Sequence, residues 1–462
     1  MLRTIAFILA MTVGISAAVW TRFGGLLFYL WFSLFRPQDW VWIDVEAFRL
    51  SLFAGALFVL PSLLSGVWPN LTHPISIGSI LFLANALVAQ TNAIDPATGW
   101  FWLDFLFRQV LVSLLFISIV NTPRRYTVAI AVIACSLAFH ASKFGAGYLL
   151  GGGVRYDTNI GGAFGSTNEF SLAVSRVLFL LIAAAQNIAV PWVSLGMFFS
   201  VPFTVLGIIS TFSRGGFLAV ACATTLFLVL QRRRALAMAA VGVAAVVAYL
   251  LVPVPDSYVN RLNTITTYEE VGDRSALGRL HFWRVATLMA AAEPMGVGLR
   301  NFEANYDRFD FSGGQYGTSR SSHSVYFQVL AETGYIGAAI FLWLLGYAFW
   351  ITLRVRRRAG SLPPEARRFF FTTSNALAAS LVAFAIGGAF AAEALNELNW
   401  FTFALVACLD RISRDAVAAA NPSSPVVQPA KSSPADWRPA KIAAQTGTSL
   451  AGPRVARASY RR

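Results

Sequence analysis

Uninterrupted apolar runs, each about as long as a bilayer is thick, constrain this chain more than any other feature. They stand near residues 5–19, 24–36, 47–66, 75–90, 101–120, 125–142, 169–189, 192–212, 215–231, 234–252, 325–353, 370–391 and 396–410. A helix crosses the hydrocarbon core with about 20 apolar residues. Within that core every backbone N–H and C=O must find an internal partner, which leaves a helical bundle or a closed barrel. Barrel strands would read as alternating segments of about ten residues, and these runs do not alternate. Composition agrees, with 56% hydrophobic and 13% charged residues against roughly 45–50% and about 25% in soluble domains. The expected fold class is all-α, a polytopic membrane helical bundle. The two short runs at the start read as one re-entrant or tilted unit, giving about twelve transmembrane helices.

A net charge of +14 raises the question of nucleic acid, and the placement of the charge answers it. Nine Lys and Arg against two Asp lie between Arg411 and Arg462. Other basic clusters are Arg124-Arg125, Arg232 to Arg234, and Arg354 to Arg368. All are short and border apolar runs, as cytoplasmic loops do under the positive-inside rule, with added attraction to anionic lipid headgroups. Membrane lipids are the expected partners, and nucleic acid is not. Cys135, Cys222 and Cys408 lie inside apolar runs and read as small buried hydrophobes. Met1 to Val19 lacks a convincing small-residue cleavage site and reads as a retained first segment.

Four regions follow. Residues 1–252 form an N-terminal transmembrane bundle. Residues 253–324 form one large polar loop on the outer side of the membrane. Residues 325–410 return to membrane helices, and the Pro/Ser/Ala-rich stretch 411–462 is expected to be a disordered basic cytoplasmic tail.

The polar island is where chemistry is expected. It contains Asp273-Arg-Ser-Ala-Leu-Gly-Arg-Leu-His-Phe-Trp-Arg284, Glu293-Pro-Met-Gly-Val-Gly-Leu-Arg-Asn-Phe302 and Ser321-Ser-His-Ser-Val-Tyr326. Leu280, Trp283, Ala286 and Met289 recur at helical spacing, which predicts an amphipathic helix on the membrane surface. Pro294 ends it, and Gly296 and Gly298 make a tight turn. Arg274, Arg279, Arg284 and Arg300 offer planar forks suited to phosphate or pyrophosphate, or else contact lipid phosphates. Arg214 stands where two apolar runs meet, a costly position. It either binds an anion, with Gly215-Gly216 allowing close approach, or snorkels to the interface. His323 has the pKa range for proton transfer near neutrality; the alternative is a helix cap made by Ser322 or Ser324. His140 reads as a bundle-interior residue, His73 as a loop residue and His281 as a surface residue. Asp44 and Glu46 are a weak metal pair in an outer loop.

The order of these motifs resembles the O-antigen ligase/polymerase superfamily of lipid-linked glycan enzymes. The resemblance rests on Gly278-Arg279-Leu-His-Phe-Trp283, Pro294-Met-Gly-Val-Gly-Leu-Arg-Asn-Phe302 and Ser322-His323-Ser-Val-Tyr-Phe-Gln-Val-Leu-Ala-Glu-Thr-Gly334. Leu34-Phe-Arg-Pro-Gln-Asp-Trp40 points within it to the exosortase-associated O-glycosylation ligases. The resemblance implies a GT-C-like bundle in the bacterial inner membrane with its site facing the periplasm. It implies transfer of a glycan from undecaprenyl pyrophosphate to a hydroxyl on a lipid, glycan or protein acceptor, without metal or other cofactor. His323 then matches the family's general base, and Arg214 and Arg279, joined by Arg274, match its pyrophosphate contacts. A polymerase of the same fold, a flippase for lipid-linked sugars and a scaffold using the basic tail are the other readings.

Overall fold

The computed structural model describes residues 2–41, 49–153, 155, 164–251, 255 and 274–420. All the regular secondary structure among the described residues is helical. In chain order the helices are α1 (Leu2–Trp20), α2 (Arg22–Phe35), α3 (Leu50–Leu64), α4 (Pro74–Ala89), α5 (Pro96–Ile119), α6 (Pro123–Leu150), α7 (Thr167–Asn187) and α8 (Pro191–Ser210). There follow α9 (Arg214–Val229), α10 (Arg234–Leu251), α11 (Arg274–Ala292), α12 (Phe302–Phe309), α13 (Val325–Ala359), α14 (Pro364–Gly387) and α15 (Glu397–Ala420). Every apolar run in the sequence has its helix. Among the described residues eight helices are long and apolar enough to span a membrane, and four shorter ones are comparably apolar.

Several starts are written locally. Pro opens α4, α5, α6, α8 and α14, where its missing N–H costs nothing. Ser166 and Glu169 close a reciprocal capping box on α7. Thr122 caps α6 and Ser213 caps α9.

The last helix departs from the pattern. α15 carries Glu397, Asn399 and Asp410, yet residues 397–410 are buried from end to end. It packs against α5, α13 and α14. A helix sheathed by protein need not be apolar on every face, so its polar groups find partners instead of lipid. The Arg176 guanidinium, from α7, donates to Asn399 Oδ1 (2.6 Å), Thr402 Oγ1 (2.9 Å) and the Leu398 carbonyl. At the other end Asp410 takes Arg358 (2.5 Å), Arg414 (2.9 Å) and His73 (3.3 Å). The helix runs on to Ala420, ten residues into the stretch expected as tail; residues 421–462 lie outside the described residues.

α13 is interrupted. Gly334 has φ +68° and ψ −171°, a conformation open to glycine alone. The break frees backbone carbonyls before it and an N–H after it, and the polar island satisfies them. Val297 N–H donates to Ala331 O (2.9 Å), Gly298 N–H to Glu332 O (3.0 Å), and Tyr335 N–H to Pro294 O (3.1 Å). Gly296 and Gly298, at φ +94° and +90°, make the turn that brings these amides in. The same loop holds the α4–α5 connection: Asn92 Nδ2 donates to Gly296 O, and Asn301 exchanges two bonds with Asp95.

α11 differs from its expected face. Phe282, Val285, Ala286 and Met289 are buried with Val297, Phe302, Tyr306 and Ala331, while Leu280 is 47% exposed. Its apolar face is therefore covered by α12 and α13 rather than turned to lipid. His281, expected at the surface, is buried. Its Nε2 lies 2.7 Å from Asp310 Oδ1, and its ring stacks against Tyr316. His73, expected in a loop, is buried as well and caps α4 by accepting from Ile75 N–H. His140 is interior, bonded to the Phe35 carbonyl.

Candidate functional site

Arg214 is the first residue of α9. Phe212, two residues earlier, holds φ +55°, a costly backbone for an aromatic residue, and this bend turns the chain from α8 into α9. Ser213 Oγ accepts from Gly216 N–H (3.1 Å) and donates to Asn168 Oδ1 (2.7 Å), which anchors the helix start to α7. A guanidinium at the positive end of a helix is unfavourable by itself; the two together attract an anion. The glycines after it serve packing rather than ligand approach. A Cβ on Gly215 would come within 2.8 Å of Phe390, and one on Gly216 would overlap Ser171 Oγ.

Phe390 is the hub of the site. It lies in the short 3-10 turn Gly388–Phe390 that follows α14. Phe390 packs against Gly215, and the Arg279 guanidinium stands 5.9 Å from the centre of its ring. This turn is fixed to the start of α13. Tyr326 donates to Ala385 O (2.5 Å), and Gln328 Oε1 accepts from Ala394 N–H (3.2 Å).

His323 precedes α13 with φ +48°. Its ring lies 5.9 Å from that of Phe282, one turn along α11 from Arg279. Burial lowers its pKa below the ordinary 6.5, and the positive charges of Arg279 and Arg320 lower it further. The shift favours the neutral imidazole, the form that accepts a proton. Ser324 occupies the N-cap position, but its side chain makes no capping bond; the local bond runs from Ser322 Oγ to Ser324 O instead (3.1 Å).

Arg214, Arg279 and His323 thus share one neighbourhood around Phe390 and Phe282. Arg274 opens α11, and its side chain lies outside the described residues, as do Asp44 and Glu46. The other loop arginines go elsewhere. Arg284 is exposed, and Arg300 stacks over Trp102 at 4.7 Å. The structure adds Arg320, whose Nε donates to Tyr316 O (2.6 Å). Its charge three residues before His323 was visible in the sequence. Nothing in the sequence marked Phe390.

Behind this neighbourhood lies Glu393, fully buried. Burial pushes its carboxyl pKa well up, nearby Glu169 pushes it further, and Arg176 and Arg300 pull it back. Asn396 Nδ2 donates to its Oε2 (3.2 Å). The segment carrying Phe390 is held from behind by a buried polar network rather than by apolar packing alone.

Helices and docked loop together define a polytopic helical membrane protein in which Arg214, Arg279 and His323 lie at one end of the bundle. Residues 195–342, from α8 into α13, match the family described as O-Antigen ligase. Over that stretch the chain is similar to ligase- and polymerase-type membrane enzymes that transfer glycans, and the stretch contains Arg214, Arg274, Arg279 and His323. No curated protein matches the chain.

Proposed function

We propose that this protein is a lipid-linked glycan ligase. It takes a glycan from undecaprenyl pyrophosphate and joins it to a hydroxyl of a lipid, glycan or protein acceptor at the periplasmic face of the inner membrane. The observation that carries this reading is a partly buried His323 within reach of the positive charge of Arg279, whose guanidinium stands by the Phe390 ring next to the start of α9.

In this reading the acceptor oxygen attacks the anomeric carbon as its proton passes to His323. The bond between that carbon and the pyrophosphate oxygen breaks, and the electron pair leaves with the diphosphate. Negative charge grows on the leaving group, and Arg214 and Arg279 stabilise it. Fixed charges in a water-poor site act most strongly on charge that develops in the transition state. Attack opposite the leaving group inverts the sugar carbon. Arg274 joins the pyrophosphate contacts.

The flippase reading draws on one feature, the break in α13. The freed carbonyls there are occupied by Val297 and Gly298 N–H, so the break serves to dock the loop. In transporters such breaks face a substrate path instead.

The test is made in cells lacking the protein. Undecaprenyl-linked glycan should accumulate, wild type should clear it, and His323→Ala should not. Full clearance by a chain carrying both His323→Ala and Arg214→Ala would overturn the enzymatic reading. Growth of chain length, rather than transfer of finished chains, would assign a polymerase instead.

A further inference from the structure

The opposite end of the bundle holds a second basic site, one that the proposed reaction does not use. α9 runs 16 residues from Arg214 to Val229, about 24 Å at 1.5 Å per residue. Beyond it, Arg232 and Arg233 meet Arg367 and Arg368 of α14 around a cavity of about 930 Å³. No Asp or Glu lines this cavity. The Arg232 guanidinium stands 4.5 Å from the centre of the Phe371 ring, and Arg356 stands 5.1 Å from the same centre. Arg356 is held there by the Leu230 carbonyl and Asn375 Oδ1. Two guanidiniums share one aromatic ring and no described carboxylate faces them. Glu365, the nearest acid in sequence, lines the neighbouring cavity with Arg124.

Such a cluster repels itself, and an anion would relieve it. The rest of the cavity says which anion. Phe198 of α8 and Leu236 and Val241 of α10 form its apolar wall, 41%, 63% and 42% exposed. The cavity is therefore charged at the loop end and open sideways along apolar helix surface. That matches an amphiphile with a phosphate head and acyl chains, and not a soluble phosphate, which has no use for the apolar wall. Basic pockets between membrane helices bind lipid headgroups on these grounds.

We propose that this cavity is a binding site for an anionic phospholipid, its phosphate among Arg232, Arg233, Arg367 and Arg368 and its chains along Phe198, Leu236 and Val241. The site is independent of the glycan-transfer reading.

The test uses the full chain, purified and stripped of lipid in detergent, with phosphatidylglycerol titrated and adducts read by native mass spectrometry. Arg367→Gln with Arg368→Gln should weaken binding about tenfold or more, since each arginine near an anionic surface contributes on the order of 1 kcal/mol. Arg124→Gln with Arg125→Gln, a basic pair outside the cavity, should leave affinity unchanged. Equal binding of phosphatidylcholine, equal loss from the two pairs, or displacement of the lipid by inorganic phosphate at matched concentration would each overturn the proposal. Should the Arg367/Arg368 variant not fold, a photoreactive phosphatidylglycerol on the wild-type chain decides. Cross-links at Phe198, Leu236 or Val241 support the site, and cross-links confined to other helices refute it.

Discussion

His323 lies within electrostatic reach of Arg279, and that charge, added to burial, lowers the imidazole pKa from its ordinary 6.5. A base needed in the neutral form and a cation needed for the leaving group are set together, so each alters the other.

This pairing predicts a pH signature. Lowering the His323 pKa extends the active, neutral form to lower pH, so transfer by the wild type should fall off only below 6.5. Arg279→Gln removes a positive neighbour, raises the pKa toward its ordinary value, and should move the acid limb upward. It should also cut the rate about 10²–10³-fold by removing leaving-group stabilisation. In vitro transfer rates across pH 5 to 8 check both. An acid limb that stays in place would separate Arg279 from the histidine.

Phe390 should act as a positioning residue. Phe390→Ala removes the surface on which Arg279 stands and against which Gly215 packs. Cation–π contacts of this kind contribute about 0.5–2 kcal/mol. The turnover rate should drop roughly tenfold with an unchanged unfolding temperature, and Phe390→Tyr should restore it. A fall in unfolding temperature that tracks the activity loss would reduce the residue to packing.

Gly334→Ala should undock the loop. A side chain at φ +68° is strained, at about 1–3 kcal/mol, and its Cβ would overlap the Pro294 carbonyl. Relief comes by closing α13 into a continuous helix, which expels residues 294–298. Protease cleavage near Met295 should appear and thermal stability should fall. An unchanged cleavage pattern would show that the docking does not depend on the break.

Asp310 should make the loop acid-sensitive. Burial raises its pKa, but Ser312 and Gly314 donate to the carboxylate, the His281 ring lies beside it, and together they hold it down at about 2, against an ordinary 3.8. Its contribution to stability is complete above 3.8 and is lost as pH falls toward 2. Hydrogen exchange across residues 310–320 should rise through that window. In Asp310→Asn exchange should already be faster at pH 7 and should change little between pH 4 and 2.

Much of this was legible in the chain. The runs of about 20 apolar residues determined where helices stand, because insertion in hydrocarbon is settled by local composition. Pro294 marked a helix end, and Gly296 and Gly298 marked a turn, because backbone sterics are local too. The motifs around Arg214, Arg279 and His323 named residue types able to hold a diphosphate and move a proton.

Other features depended on contacts between residues far apart in sequence, which no local pattern encodes. The run 396–410 read as one more membrane helix, and only the structure shows α15 sheathed by protein, which lets it carry Glu397 and Asp410. The buried face of α11 was misjudged because an apolar stripe faces lipid or protein according to what packs on it. Gly215 and Gly216 suggested room for a ligand, and Phe390 and Ser171 fill it. The sequence by itself determined the helices, the basic loops and the reactive residue types. Only the tertiary structure decided that Phe390, 111 residues beyond Arg279 in the chain, is the surface where Arg279 and the start of α9 meet. The reason is physical: spanning and turning are set by each segment's own chemistry, whereas convergence requires the packing of every helix between.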